Sequence, residues 1–344
     1  MIASPTGFDS AGRITDGHAG WAAFSRLWLA TVVGLFVVLV LALLAIDPYD
    51  TGRTGLIGRR GLQDQYPFMA NASRARDPRF DAAIFGNSHV QQLNPERLDA
   101  LTGLSFVSLM MPATWPMDGL DVLRWFDSNR TMSAKAVVIG LDQFWCMHVA
   151  INSQRFPTWL YADGFLPYLA GLVRYRSFEA AAARIRFART GKGGYRPDGY
   201  WSYGPIYDAL GLGAREASHR KLAAPKAFTI NTSGRFPALD RLREDLADLP
   251  ATTAVVLLRP PVYRTALPEP GTPEAETAAS CRIEMISVAR SRKRTVLIDL
   301  LGQDAEDPDG YYDHDHYRDP LAIRIEAQVA EALAKLRGVP ATSR

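Results

Sequence analysis

An α/β fold on a parallel sheet follows from three features of this 344-residue chain. Five apolar runs of strand length recur along it, most of them near-continuous in Val, Ile and Leu, as strands buried on both faces require. Helical patterns lie between the runs, and strands alternating with helices make a parallel sheet covered on both faces. One long apolar stretch stands apart near the N-terminus. Close to half of the residues are apolar, enough for one enlarged domain with an appendage.

Residues 1–20 are polar and contain Gly and Ser, the composition of a disordered tail. Leu27 to Ile46 then reads LWLATVVGLFVVLVLALLAI without a charge, about the length that crosses a bilayer core. No polar face interrupts it, which argues against a buried core helix. Ala45-Ile46-Asp47-Pro48-Tyr49 is a poor cleavage site, which argues against a removed signal peptide. An uncleaved transmembrane anchor over residues 21–46 is expected. Arg13 and Arg26 precede it while Arg53, Arg59 and Arg60 follow, so charge counting leaves its orientation undecided. Residues 47–78 carry Gly, Arg and Asp with little periodicity and read as a tether.

The main domain is expected over residues 79–340. Its strand runs are Ala82 to Phe85, Ser105 to Met110, Ala136 to Leu141, Thr253 to Leu258 and Thr295 to Leu300. Helical patterns follow at Pro95 to Leu101, Met117 to Phe126, Leu239 to Leu246, Glu274 to Arg290 and Leu321 to Leu336. The spacing breaks between the third and fourth strands, at about 143–235, which is too long for a bare loop. This insertion should carry helices of its own, Phe165 to Arg189 among them, and fold as a lid. Its stretch TGKGGYRPDGYWSYGP offers Tyr195, Tyr200, Trp201 and Tyr203 either as sugar-stacking rings or as pins that hold a loop to the core.

The charge of +3 is a small excess of 39 basic over 36 acidic residues, with no dense basic block, so no nucleic acid partner is expected. Cys146 and Cys281 fit no metal spacing. One bridge between them is compatible with an oxidising compartment, and two buried thiols are the simpler expectation. No cofactor is indicated.

The segment FGNSHVQQLNP, residues 85 to 95, sets Ser88 just past the first strand, where ligands bind in open α/β sheets. Ser88 is either a nucleophile or the polar cap of the next helix. A serine needs a base and a group to orient it. YYDHDHYRDPLA supplies Asp313 and His316 three apart, a facing distance on a helix-like turn, after the fifth strand. Asp315, adjacent to His316, cannot orient it as easily. His89 should face away from Ser88 on a helix start and serve as a substrate contact. His314 and His316 also form an H-x-H pair, which admits a metal alternative, although no third ligand cluster is visible. Trp115 and Trp145, each just past a strand, border the site as pocket walls or as ordinary core.

These parts together resemble the SGNH/GDSL hydrolase superfamily, in the membrane-anchored bacterial branch that includes the alginate O-acetylation proteins and the D-alanyl transfer protein of teichoic acid modification. The matching segments are IFGNSH, KAVVIGLDQF, VVLLRPPVYR and DHDHY, spanning roughly residues 80 to 337. The resemblance implies a flavodoxin-like three-layer α/β/α sandwich, a Ser88/Asp313/His316 triad, and acyl chemistry on an extracytoplasmic glycan from the bacterial inner membrane. It further implies a multispanning membrane-bound O-acyltransferase as partner. The family's oxyanion hole uses the nucleophile's N–H, a glycine N–H after the second strand and an asparagine after the third. Here LMMPATWP has no glycine, so Ser88 and Ala113 are the available backbone donors, and Asp142 stands in the asparagine's place. Loss of one such donor costs about 100-fold to 1000-fold in turnover.

The expected function is therefore an anchored O-acyltransferase or acylesterase working through an acyl-serine on a cell-envelope polysaccharide. Ser88, Asp313 and His316 would do the chemistry, with His89, Asp142, Trp115 and Trp145 around the substrate. The alternative is a non-catalytic anchored glycan-binding or assembly protein on the same fold.

Overall fold

The computed structural model describes residues 15–57, 61–62, 66–192, 195–211, 213–226, 228 and 230–339. Five strands form one sheet: β1 (Ala82–Phe85), β2 (Phe106–Ser108), β3 (Ala136–Gly140), β4 (Ala254–Arg259) and β5 (Thr295–Asp299). Their order is 2-1-3-4-5 and every neighbouring pair is parallel. Each lies on an expected apolar run, trimmed or shifted by a residue or two.

The helices are α1 (Thr15–Ile46), α2 (Pro67–Arg74), α3 (Pro95–Thr102), α4 (Pro116–Ser128), α5 (Thr158–Tyr161), α6 (Phe165–Leu172), α7 (Tyr175–Thr190), α8 (Gly204–Ala209), α9 (Arg215–Leu222), α10 (Pro237–Asp248), α11 (Pro273–Arg290) and α12 (Asp319–Arg337). Local chemistry sets several starts. Asn94 Oδ1 accepts from Glu96 N at 3.1 Å ahead of Pro95, and Thr272 Oγ1 accepts from Ala275 N at 3.3 Å ahead of Pro273.

Period-two alternation divides the strand side chains between two cores. Ala83, Phe85, Val107, Val137, Ile139, Val255 and Leu257 pack with α4, α10 and α11, whereas Ala82, Ile84, Phe106, Val138, Val256 and Leu258 pack with α3 and α12. β5 departs from the expectation of full burial, because it is an edge strand paired only with β4 and is half-buried throughout. The opposite edge, β2, is buried: the insertion reaches it, and Ser108 N donates to Asp198 O at 2.7 Å.

The N-terminal helix begins at Thr15, so residues 15–20 are helical rather than part of a disordered tail; residues 1–14 lie outside the described residues, as do Arg59 and Arg60. Gly20–Ile46 is long and apolar enough to cross a membrane. The segment directly behind α1 is not a loose tether. Asp47 Oδ1 accepts from Thr51 N and Tyr168 OH, each at 3.0 Å, and Asp50 pairs with Arg184 at 2.9 Å. Arg184 is 2% exposed and also donates to Ile46 O and Gly61 O. Its partner lies 134 residues away, a contact that no local periodicity announces.

The insertion carries α5 to α9, as its length required. Cys146, just past β3, and Cys281, on the buried face of α11, form a disulfide rather than two free thiols. Asn231 near the end of the insertion donates to Cys146 O at 3.0 Å, so both ends of the segment meet α11 at one place. Cys281→Ser is expected to cost about 2–5 kcal/mol of stability. Calorimetry with and without dithiothreitol checks this: the reductant should lower the Tm of the native chain and leave that of the variant unchanged.

Candidate active site

Gly86 ends β1 with φ +144°, a left-handed value that suits glycine. A Cβ there would sit 2.7 Å from Val90 Cγ2, and one on Gly140 would sit 2.6 Å from Val90 Cγ1. The two glycines let Val90 dock between the ends of β1 and β3, which pulls the chain into a 3₁₀ turn over Ser88–Val90. Asn87 caps that turn, its Oδ1 accepting from His89 N at 3.0 Å. α3 is capped by Asn94. Ser88 therefore caps neither element, and its side chain lies close enough to the Tyr203 hydroxyl to oppose the upward push of burial on that phenol.

Asp313 and His316 meet as their spacing requires, with Nδ1 and Oδ1 2.7 Å apart. A carboxylate only accepts, so Nδ1 carries the proton and Nε2 presents a lone pair. Nε2 has no hydrogen-bond partner among the described residues. Asp313 Oδ1 also accepts from His316 N and Asp315 N, each at 3.1 Å, and Oδ2 from Tyr207 OH at 2.7 Å and Lys221 Nζ at 3.4 Å. Burial alone would raise this carboxyl, but the bond and charge of His316, the Tyr207 hydroxyl and Lys221 hold it far below the usual range. Burial lowers the His316 imidazole, with Asp313 opposing and His89 and Lys226 adding to the depression.

Ser88 and His316 are not bonded to each other. Tyr203 neighbours both, its ring 5.3 Å from the His316 ring, edge to face, and its hydroxyl near the Ser88 side chain. Tyr203 is thus a buried pin rather than an open sugar platform, while Tyr195 is half-exposed.

His89 turns toward His316. Its ring lies 5.3 Å from that of His316, with Nδ1 3.2 Å from Asp142 Oδ2 and Nε2 3.7 Å from Asp315 Oδ2. The 3₁₀ turn, tighter than an α-helical start, brings this about. Asp142 also accepts from Asn87 Nδ2 and, at 2.9 Å, from Phe144 N. Its oxygens are taken up in holding the Asn87-Ser88-His89 turn against the end of β3. Asp315 pairs with Lys226. Among the described residues no group of three or more His, Cys, Asp or Glu side chains is placed to hold a metal ion; His314 Nε2 donates to Ala224 O at 2.7 Å, while the His316 ring engages Asp313.

Ala113 is exposed, with φ +55°, in a loop tied to the first strand's end by Met111 N on Gly86 O at 2.9 Å. Neither its N–H nor that of Ser88 has an acceptor among the described residues. Trp115 and Trp145 line a narrow apolar crevice with Phe85, Asn87, Thr114 and Ile139, and Trp145 also belongs to the core. A second crevice is lined by His89, Asp142, Arg259, Val262 and Asp315.

Sequence patterns did not single out Tyr207, Lys221 or Lys226. The one available signal was Tyr203 and Tyr207 at i, i+4, a facing pair formed by the N-cap and first turn of α8. Comparison of the chain with protein-family models and with curated proteins gives no match.

Titration of His316 by imidazole NMR should give a pKa below the ordinary value of about 6.5. Asp313→Asn, which removes the opposing carboxylate, should move it lower still. Lys226→Met, which removes a cation, should move it up.

Proposed function

We propose that the chain is a membrane-anchored, SGNH-like O-acyltransferase or acylesterase that modifies a cell-envelope or exported polysaccharide. The observation that carries this reading is the Asp313–His316 pair at 2.7 Å, with Nε2 unspent, at the same strand ends as a Ser88 that serves no cap. The 2-1-3-4-5 strand order and the two cores support a flavodoxin-like three-layer arrangement.

On this reading Ser88 Oγ turns to His316 Nε2, closing a hydrogen bond that apo sites often leave open. His316 takes the Ser88 proton as Oγ attacks the acyl carbonyl, and Asp313 stabilises the imidazolium. The N–H groups of Ser88 and Ala113 hold the oxyanion. Collapse of the tetrahedral adduct expels the donor's leaving group, which takes the proton from His316. A sugar hydroxyl or water, deprotonated by the same nitrogen, then attacks the acyl-serine and returns the serine. Asp142 does not enter this scheme as an oxyanion donor, because its role is to brace the turn.

The Cys146–Cys281 bridge supports an oxidising compartment, hence a periplasmic domain on a single-pass inner-membrane anchor. A multispanning membrane-bound O-acyltransferase that delivers acyl groups completes the proposal. One observation favours the non-catalytic glycan-binding alternative: among the described residues Ser88 makes no hydrogen bond to His316, whose ring bonds Asp313.

A fluorophosphonate probe on the full chain separates the two. Labelling that Ser88→Ala abolishes, and that His316→Gln slows roughly 10⁴-fold or more, is expected of the enzyme. Tyr203→Phe should label faster than the native chain, since the phenol hydroxyl near the Ser88 side chain is removed. No labelling of folded protein would leave the binding protein. In the enzyme, the acid limb of the labelling rate should rise with pH through the depressed His316 pKa, below about 6.5.

A further inference from the structure

Resting on the reading of α1 as a membrane anchor, we infer that the domain face surrounding the end of α1 is itself a membrane-contact surface. It seats in the headgroup region of the same anionic phospholipid bilayer that α1 crosses.

The lengths leave no spacer. Side chains of α1 are exposed from Gly20 to about Ala42 and become buried at Leu43. That exposed run is about 34 Å long at 1.5 Å per residue, against about 30 Å of hydrocarbon. The domain therefore begins where the hydrocarbon ends.

Two segments ring that point. Leu56 N donates to Ala45 O at 2.7 Å, which fixes Leu56 beside the last turn of α1 with its side chain 88% exposed. Residues 162–177 close the ring: Arg53 donates to Ala162 O, Tyr168 OH to Asp47 at 3.0 Å, and Tyr49 OH meets Ser177 Oγ at 3.1 Å. From this segment Phe165, Leu166, Val173 and Tyr175 project outward, Leu166 and Tyr175 by about three quarters of their surface (75% and 76%). Arg174 and Arg176 stand among them, stacked on Trp159 at 4.6 Å and Tyr66 at 5.1 Å, with no acidic partner among the described residues. Asp163, at the edge of the patch, interacts with Arg53.

Large apolar side chains mixed with tyrosine and arginine at the mouth of a spanning helix are the composition of the bilayer interface. Facing water, such a patch would be an aggregation hazard. Its continuity with α1 and its arginines, which have no acidic partner among the described residues, select a negatively charged lipid surface as the occupant. Because Arg184 and Asp50 lock the junction, the contact would hold the domain at one tilt rather than let it swing.

The full chain, reconstituted in vesicles of phosphatidylethanolamine and phosphatidylglycerol, tests this with single bimane labels at Leu35→Cys, Leu166→Cys and Ile323→Cys. Ile323 lies on α12, which packs on the opposite face of the sheet from Leu43. The Leu166 label should lose most of its emission to lipids carrying a nitroxide near the headgroup, the Leu35 label to a nitroxide deep in the chains, and the Ile323 label to neither. Adding Val173→Asp and Arg174→Glu should restore the Leu166 emission. If Leu166→Cys fails to fold, Tyr175→Cys takes its place. A Leu166 label as bright as that at Ile323, with Leu35 still quenched, sinks the contact surface and spares the anchor. An unquenched Leu35 sinks the anchor and this surface with it.

Discussion

Parallel pairing governs where everything else in the domain can stand. Because every strand runs the same way, the carboxyl ends of β1, β3, β4 and β5 open on one edge, and loops distant in sequence arrive there together. The register Ala82, Ala136 and Ala254 aligns those ends. Ser88 follows β1 by three residues, Asp142 follows β3 by two, and Asp313 and His316 lie in the loop after β5. Closeness then depends on Val90, which fits only because Gly86 and Gly140 leave it room. A methyl group on either glycine would push the Ser88 turn away from β3 and from the carboxylate that braces it.

Within this frame the electrostatics are tightly coupled. Three carboxylates, Asp142, Asp313 and Asp315, face two imidazoles and two lysines inside a largely buried space. Buried charge persists only where it is paired or hydrogen-bonded. Lys221 and Lys226 come from α9 and the segment behind it, so the insertion supplies the cations that balance acids from the sheet loops. Tyr207 adds a hydroxyl to Asp313, and Tyr203 packs against His316. The insertion thus supplies part of the charge balance and packing around these side chains.

What could be read in advance was what short-range pattern encodes. The five strands were legible because burial on both faces leaves runs of Val, Ile and Leu, and Asp313 with His316 because three-residue spacing is a local geometry. Ser88 was ambiguous because Asn87 and Ser88 are both good caps, and the 3₁₀ turn, starting at Ser88, leaves the role to Asn87. The neighbours of His89 were not legible because a 3₁₀ turn and an α-helical start send the next side chain in different directions. The long-range pairs, Asp50 with Arg184 and Tyr207 with Asp313, leave no mark on their neighbours in sequence. For the same reason the region after α1 reads as a tether, although its charged turn is buried.

The bridge between Cys146 and Cys281 has a consequence for how the chain matures. A ribosome exposes Cys146 well before Cys281, which comes 135 residues later, an interval of roughly 7–27 s at ordinary elongation rates. Throughout it the first thiol has no sibling to join, since the chain holds two cysteines and no more. Mispairing inside one molecule is arithmetically impossible, so maturation asks for an oxidant and not for a disulfide isomerase. The hazard left is a crosslink between two nascent copies.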